Sequence, residues 1–152
     1  MAVYLSQHGK SASKNIDPKR GLTAEGVSEV KYIASLLKQR HIHVAGIRHS
    51  GKDWERQTAD VFAQSLKPKK VVIEYGGINP MDDVKSFAKQ LDASMNQMYV
   101  GHLPFMQRLV SYLITDDPER PVVEFQNGGV VCLDYDQGNE CWVIKWVIVP
   151  HP

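Results

Sequence analysis

This sequence predicts an α/β sandwich on a largely parallel sheet with an antiparallel portion, and three observations carry that prediction. Short apolar runs alternate with stretches of helical periodicity through most of the chain. The tail then changes to apolar runs joined by turn residues, the pattern of consecutive strands. No repeat, low-complexity segment or linker interrupts the 152 residues, so residues 1–152 are read as a single domain.

The elements follow in order. Residues 2–6, "AVYLS", form the first strand. In "LTAEGVSEVKYIASLLKQR", Val27, Val30, Ile33, Ala34 and Leu37 recur on one helical face, and Thr23 is the expected N-cap. "HIHVAGI" reads as a second strand. A helix over residues 54–66 places Ala59, Phe62, Ala63 and Leu66 inward. "VVIEY" is a compact third strand, and Asp82 starts a helix with Val84, Phe87, Ala88 and Leu91 on its inner face. "QMYVG" is the fourth strand, and "PFMQRLVSYLI" a helix with proline near its first turn. "PVVEF", "GGVVCLDY" and "CWVIKWVIV" complete the set. In the last, simple alternation puts Trp142, Ile144, Trp146 and Ile148 on one face, with Val143 and Lys145 on the other.

Composition excludes several functions. A chain 43% hydrophobic and 23% charged is an ordinary soluble one. Its formal charge of +1 is too balanced for a nucleic-acid or membrane-surface binder. No apolar run approaches the ~20 residues a membrane span needs, and no basic start precedes an apolar leader. Cys132 and Cys141 flank the turn "DYDQGNE", where they are expected on one sheet face, one rung apart. Free thiols in a reducing, cytoplasmic compartment follow.

In such sheets ligands bind beyond the carboxyl ends of the parallel strands. Three segments leave strands there: "SQHGKSASKNIDPKRG", "GIRHSGKD" and "VGHLP". They bring His8, His49 and His102, with Lys10, Lys14, Lys19, Arg20, Arg48 and Lys52. A basic, histidine-bearing rim in a nearly neutral protein points to an anion such as phosphate. The plainer reading is a set of solvated loop lysines.

The four segments "VYLSQHGKS", "RGLTAEG", "HSGKDWERQTA" and "YVGHLP" resemble, in order, the motifs of the histidine phosphatase superfamily, the phosphoglycerate-mutase-like proteins. That pattern is Arg-His-Gly after a strand, Arg-Pro-Leu-Thr-x-x-Gly, Ser-Pro-x-x-Arg-Ala-x-Gln-Thr-Ala, and Gly-His-x-Pro. The short length and the tryptophan-rich last strand look most like bacterial phosphohistidine phosphatases of the SixA type. The resemblance implies a three-layer α/β/α sandwich and no metal or organic cofactor. It also implies a phosphorylated protein, phosphohistidine included, or a small phosphate-bearing molecule as partner.

Carried over residue by residue, His8 falls on the nucleophile and His102 on the second active-site histidine. Gly9 follows the nucleophile; Leu22, Thr23 and Gly26 match the helix start, and Ser50, Gln57, Thr58 and Ala59 the second motif. Gly21 stands where proline is usual, and two departures matter most. Gln7 and Trp54 stand where the motif has its arginines, which bind phosphoryl oxygens through a planar, permanently charged fork. Gln7 offers neutral donors, and Trp54 its indole N–H or an aromatic wall. Arg48 and Lys10 are the expected replacement cations, whereas Arg56 is expected to point away from the site. Glu74 and Asp82 are candidate acids for the leaving group, Asp82 serving equally as a helix cap. A weak or specialised phosphatase working through a phosphohistidine on His8 is one reading. A catalytically degenerate phosphate- or phosphoprotein-binding module is the other.

Two further motifs are set aside. "GIRHSGKD" nearly fits a nucleotide-cradling loop, but Asp53 cannot supply the hydroxyl for magnesium and repels phosphate. His41 and His43 in "HIH" lack a third metal ligand at useful spacing.

Overall fold

The computed structural model describes residues 1–13 and 21–152, so Lys14, Lys19 and Arg20 of the expected basic rim lie outside the described residues. Along the chain come β1 (Val3–Gln7), α1 (Ala24–Gln39), β2 (Gly46–His49), α2 (Asp53–Leu66), β3 (Ile73–Glu74) and α3 (Val84–Ala88). β4 (Gln97–Gly101), α4 (Phe105–Thr115), β5 (Val130–Asp136) and β6 (Cys141–Ile148) follow. The strands form one sheet in the order β3-β2-β4-β1-β5-β6. β1 to β4 run parallel, β5 is antiparallel to β1, and β6 is antiparallel to β5.

Three layers result, because β1 is buried on both faces. Tyr4 joins Val30, Ile33, Phe62 and Ile47 in the core under α1 and α2. Val3 and Leu5 join Phe87, Phe105 and Leu109 in the core under α3 and α4. A strand covered on both sides needs a continuous apolar run rather than alternation, which "VYL" supplies.

The start of α1 follows its sequence signal. The Thr23 hydroxyl accepts from the Gly26 N–H at 2.9 Å, closing the cap. Gly26 serves a second purpose: a Cβ there would lie 2.3 Å from the Lys10 carbonyl oxygen and 2.9 Å from its nitrogen. Only glycine lets the helix approach the turn after β1. Gly26→Ala is therefore expected to destabilise the fold by about 1–3 kcal/mol, overpacking against backbone outweighing the gain in helix propensity. Urea unfolding followed by circular dichroism measures this.

Several sequence expectations are corrected. "PVVEF" is not a strand; residues 121–126 run without ladder pairing, while Phe125 packs into the second core. "HIHVAGI" becomes strand only at Gly46. His41 has φ 58°, closing the end of α1, and His41 and His43 are exposed. "VVIEY" shrinks to Ile73–Glu74 at the sheet edge, where Val71 is 79% exposed. Asp83, not Asp82, caps α3, accepting from the Lys85 N–H, while Asp82 accepts from the Asn79 N–H. Leu91 lies beyond the helix but still packs on the second core.

The largest correction concerns β6. Cys132 pairs with Trp146, but its neighbour Leu133 pairs with Ile144, so Lys145 is an extra residue in a β-bulge. The bulge reverses the alternation. Trp146 and Ile148 pack on the α1/α2 side, Trp142 and Ile144 on the α3/α4 side. The hairpin also pairs Cys141 with Asp136, placing it four rungs rather than one from Cys132. Both cysteines are free, Cys132 buried and Cys141 exposed. Among the described residues no helix is long and apolar enough to cross a membrane.

Candidate active site

The carboxyl ends of β1 and β4 lie side by side, with Gln7 opposite Gly101. His8 is the first residue past β1, and its backbone is held from both neighbours. Its N–H donates to the Gly101 carbonyl at 2.9 Å, and its own carbonyl accepts from the Asn127 side-chain amide at 2.9 Å. The Gly128 N–H closes on the Gln7 carbonyl at 2.9 Å. Gly9 is buried, its N–H donating to Thr58 Oγ1 at 2.9 Å, and Thr58 in turn donates to the Trp54 carbonyl. A Cβ on Gly9 would meet Val30 at 2.9 Å, so this motif position has no room for a side chain. The Gln57 side chain accepts from the Leu22 N–H at 2.8 Å, tying the second motif to the helix-start motif. The motif residues thus knit three loops into one platform.

On that platform the His8 ring is fixed. Its Nδ1 lies 2.6 Å from the Gly9 carbonyl oxygen. A carbonyl only accepts, so Nδ1 carries the proton and Nε2 keeps its lone pair. The His102 ring sits edge-on to His8 with centroids 6.1 Å apart, and the Trp54 ring is 5.8 Å away on another side. His8 is half-buried.

His102 carries a partner that sequence reasoning missed. Its Nδ1 contacts a carboxylate oxygen of Glu55, whose other oxygen accepts from the Ser50 hydroxyl. Glu55 is fully buried, at 0% exposure. A signal for it existed. Glu55 lies three and four residues before Thr58 and Ala59, on the buried stripe of α2, where an acid is out of place unless paired. Burial is the main cause that pushes His102 down to about 4; the Lys52 charge adds to it, as does His8 whenever its ring is protonated.

The expected replacement cations are turned elsewhere. Lys10 Nζ lies 2.7 Å from Glu25 and 3.5 Å from Glu29, in a surface cluster that also holds His151. The Arg48 guanidinium donates to the Tyr99 hydroxyl at 3.2 Å and stacks 4.4 Å from the Tyr75 ring centroid. Its β2 neighbour Ile47 faces the α1/α2 core, so strand alternation sends Arg48 to the opposite side. Arg56 is exposed and pairs with Asp53 at 2.9 Å. Lys52, exposed ahead of α2, is instead the lysine whose charge is felt at His102.

Gln7 is half-buried, and its Oε1 finds no hydrogen-bond partner among the described residues. His49 is 6% exposed and accepts from the Gly51 N–H through Nδ1, so this rim histidine braces its own turn. The same bond engages a donor that a nucleotide-cradling loop would aim at phosphate. Glu74 is exposed and folds over Gly51, and Asp82 holds its local turn. Among the described residues, neither forms a hydrogen bond or ion pair with His102.

Solved structures share this arrangement of strands and helices. The protein histidine phosphatase SixA complexed with tungstate matches with a TM-score of 0.82 and 23% identity, over 99% of this chain and 97% of that one. This chain has the histidine phosphatase fold. The same histidine phosphatase fold is shared with a structure assigned as phosphohistidine phosphatase SixA from Agrobacterium tumefaciens, TM-score 0.76, 23% identical, covering 98% and 97% of the two chains. The alpha-ribazole phosphatase from Shigella flexneri matches at 0.70 with 15% identity, over 99% and 97%. No protein-family model matches the chain. An uncharacterized protein of Picosynechococcus sp. is 30% identical over 113 residues, 68% of this chain and 67% of its own length, and the two belong to one family.

Proposed function

We propose that this chain is a phosphatase of the histidine phosphatase fold, acting on a phosphorylated protein, phosphohistidine included, or on a small phosphate ester. One observation carries the reading: the His8 Nδ1 proton is committed to the Gly9 carbonyl, leaving Nε2 as a nucleophile beside His102. In the first step the Nε2 lone pair forms a bond to phosphorus while the bond to the leaving group breaks. In the second, water attacks the phosphohistidine, inorganic phosphate leaves, and the electron pair returns to Nε2. The comparison proteins' named activities support a phosphate-bearing substrate.

A second reading, a phosphate- or phosphoprotein-binding module, is favoured by the uncharged residues at Gln7 and Trp54 and by the engagement of Lys10 and Arg48 elsewhere. Hydrolysis assays separate the two. Purified protein is offered phosphohistidine peptide, phosphoserine peptide and 4-nitrophenyl phosphate, with His8→Ala as background. Turnover above that background on one substrate supports the phosphatase. Its absence on all three, with phosphate binding that depends on His8, leaves the binding module.

A further inference from the structure

The site has an acid that its motif pattern does not provide. Position 55 is alanine in the Ser-Pro-x-x-Arg-Ala pattern and glutamate here, fully buried, with one carboxylate oxygen on His102 and the other on Ser50. A carboxylate removed from water costs several kcal/mol unless charge or hydrogen bonds compensate it. The first turn of α2 therefore holds this group only because His102 and Ser50 face it. The same contact constrains His102: its Nδ1 is committed to Glu55, and Nε2 is left for chemistry.

We propose that Glu55 is a positioning residue that holds the His102 ring and shares a proton with it, so that His102 Nε2–H protonates the leaving group. This rests on the phosphatase reading above and names the acid which that reading lacks. Before reaction the pair holds two protons, one on Nε2 and one between Nδ1 and the carboxylate. As His8 Nε2 bonds to phosphorus, the leaving atom takes the electron pair of the broken bond and the proton from His102 Nε2. The pair then keeps one proton, on Nδ1 facing Glu55. When water attacks the phosphohistidine, its proton returns to His102 Nε2 and the starting state is restored. The pair's charge cycles between zero and minus one, and in the minus-one state the Glu55 carboxylate is held by hydrogen bonds from His102 and Ser50.

The charged and titratable groups facing His102 among the described residues are Glu55 from α2, His8 from the end of β1, and Lys52 from the turn before α2. Burial disfavours the imidazolium most, Lys52 adds to this, and His8 does so only when its own ring is protonated. Glu55 is the one group of the three whose charge favours keeping a proton on the ring.

The first readout needs no variant. Nitrogen-15 shifts of the His102 ring in the intact chain are expected to show Nε2 protonated at neutral pH; an unprotonated Nε2 overturns the proposal. In Glu55→Gln the His102 titration is expected to move down by at least one pH unit, with Glu55→Asp intermediate; an unchanged titration overturns it. Kinetically, Glu55→Gln is expected to lower kcat for phenyl phosphate ten-fold or more. It should lower kcat for 4-nitrophenyl phosphate, whose leaving group needs no acid, by less than three-fold, with KM little changed. Equal slowing on both esters in an active protein overturns the proposal and leaves the phosphatase reading standing. Wild-type protein inert on both esters defeats that reading, and the acid role with it.

Discussion

Restoring both motif arginines, Gln7→Arg with Trp54→Arg, is expected to raise turnover of 4-nitrophenyl phosphate by about 100- to 1000-fold. One preorganised donor aimed at charge developing in the transition state is worth ~3 kcal/mol. The doubled gain of two such donors is not expected, because groups acting on the same oxygens do not add. Position 7 is the more favourable of the two. Its amide is half-buried with Oε1 unpartnered among the described residues, so the substitution breaks no hydrogen bond to that oxygen there. Position 54 exchanges an aromatic ring lying 5.8 Å from His8 for a cation, next in sequence to the buried Glu55. If Glu55 captures that cation, the single Gln7→Arg variant carries most of the gain. Steady-state kinetics on the two single variants and the double separate these outcomes. A double variant no faster than wild type would mean that the pocket does not stabilise phosphoryl charge at those two positions.

His8→Ala is expected to reduce turnover at least ~10³-fold, as removal of a covalent nucleophile does, leaving only the residual rate that binding and polar stabilisation supply. Its backbone contacts to Gly101 and Asn127 do not involve the ring, so the variant should fold with little change in unfolding midpoint. A direct signature accompanies the loss. Wild-type protein quenched during turnover should carry phosphate on a histidine, stable in alkali and labile in acid, and His8→Ala should carry none. Phosphate found on another side chain, or turnover retained in the variant, would remove His8 from the nucleophile position.

Much of this architecture is legible along the chain because periodicity is a local property. The stripe of Val30, Ile33, Ala34 and Leu37 reports one buried helix face whatever lies opposite. The Thr23 cap requires only Gly26, three residues away. The order of the four motifs carried the fold, and the structural matches bear it out. Of the candidate site, the proximity of His8 and His102 was legible, because the parallel pairing of β1 with β4 brings them side by side.

Three features escaped, each for a nonlocal reason. Whether β6 keeps strict alternation depends on its pairing with β5, and the bulge at Lys145 is a property of the two strands together. Lys10 and Arg48 sit in the loop and strand expected for phosphate ligands. Long side chains go where partners are, and here Glu25, Tyr75 and Tyr99 are the partners. Glu55 carries a local signal, an acid on the buried stripe of α2, but its partner is set only when α2 packs against the end of β4.

By itself, then, the amino-acid order determined the α/β class, the cap of α1 and which imidazole follows the first strand. These depend on spacing and on neighbours a few residues apart. Tertiary packing alone decided which charges reach that imidazole: it turned two expected cations away and buried one unexpected carboxylate against His102. Electrostatic partners are chosen by distance in space, and residues 55 and 102 become neighbours only when the sheet is complete.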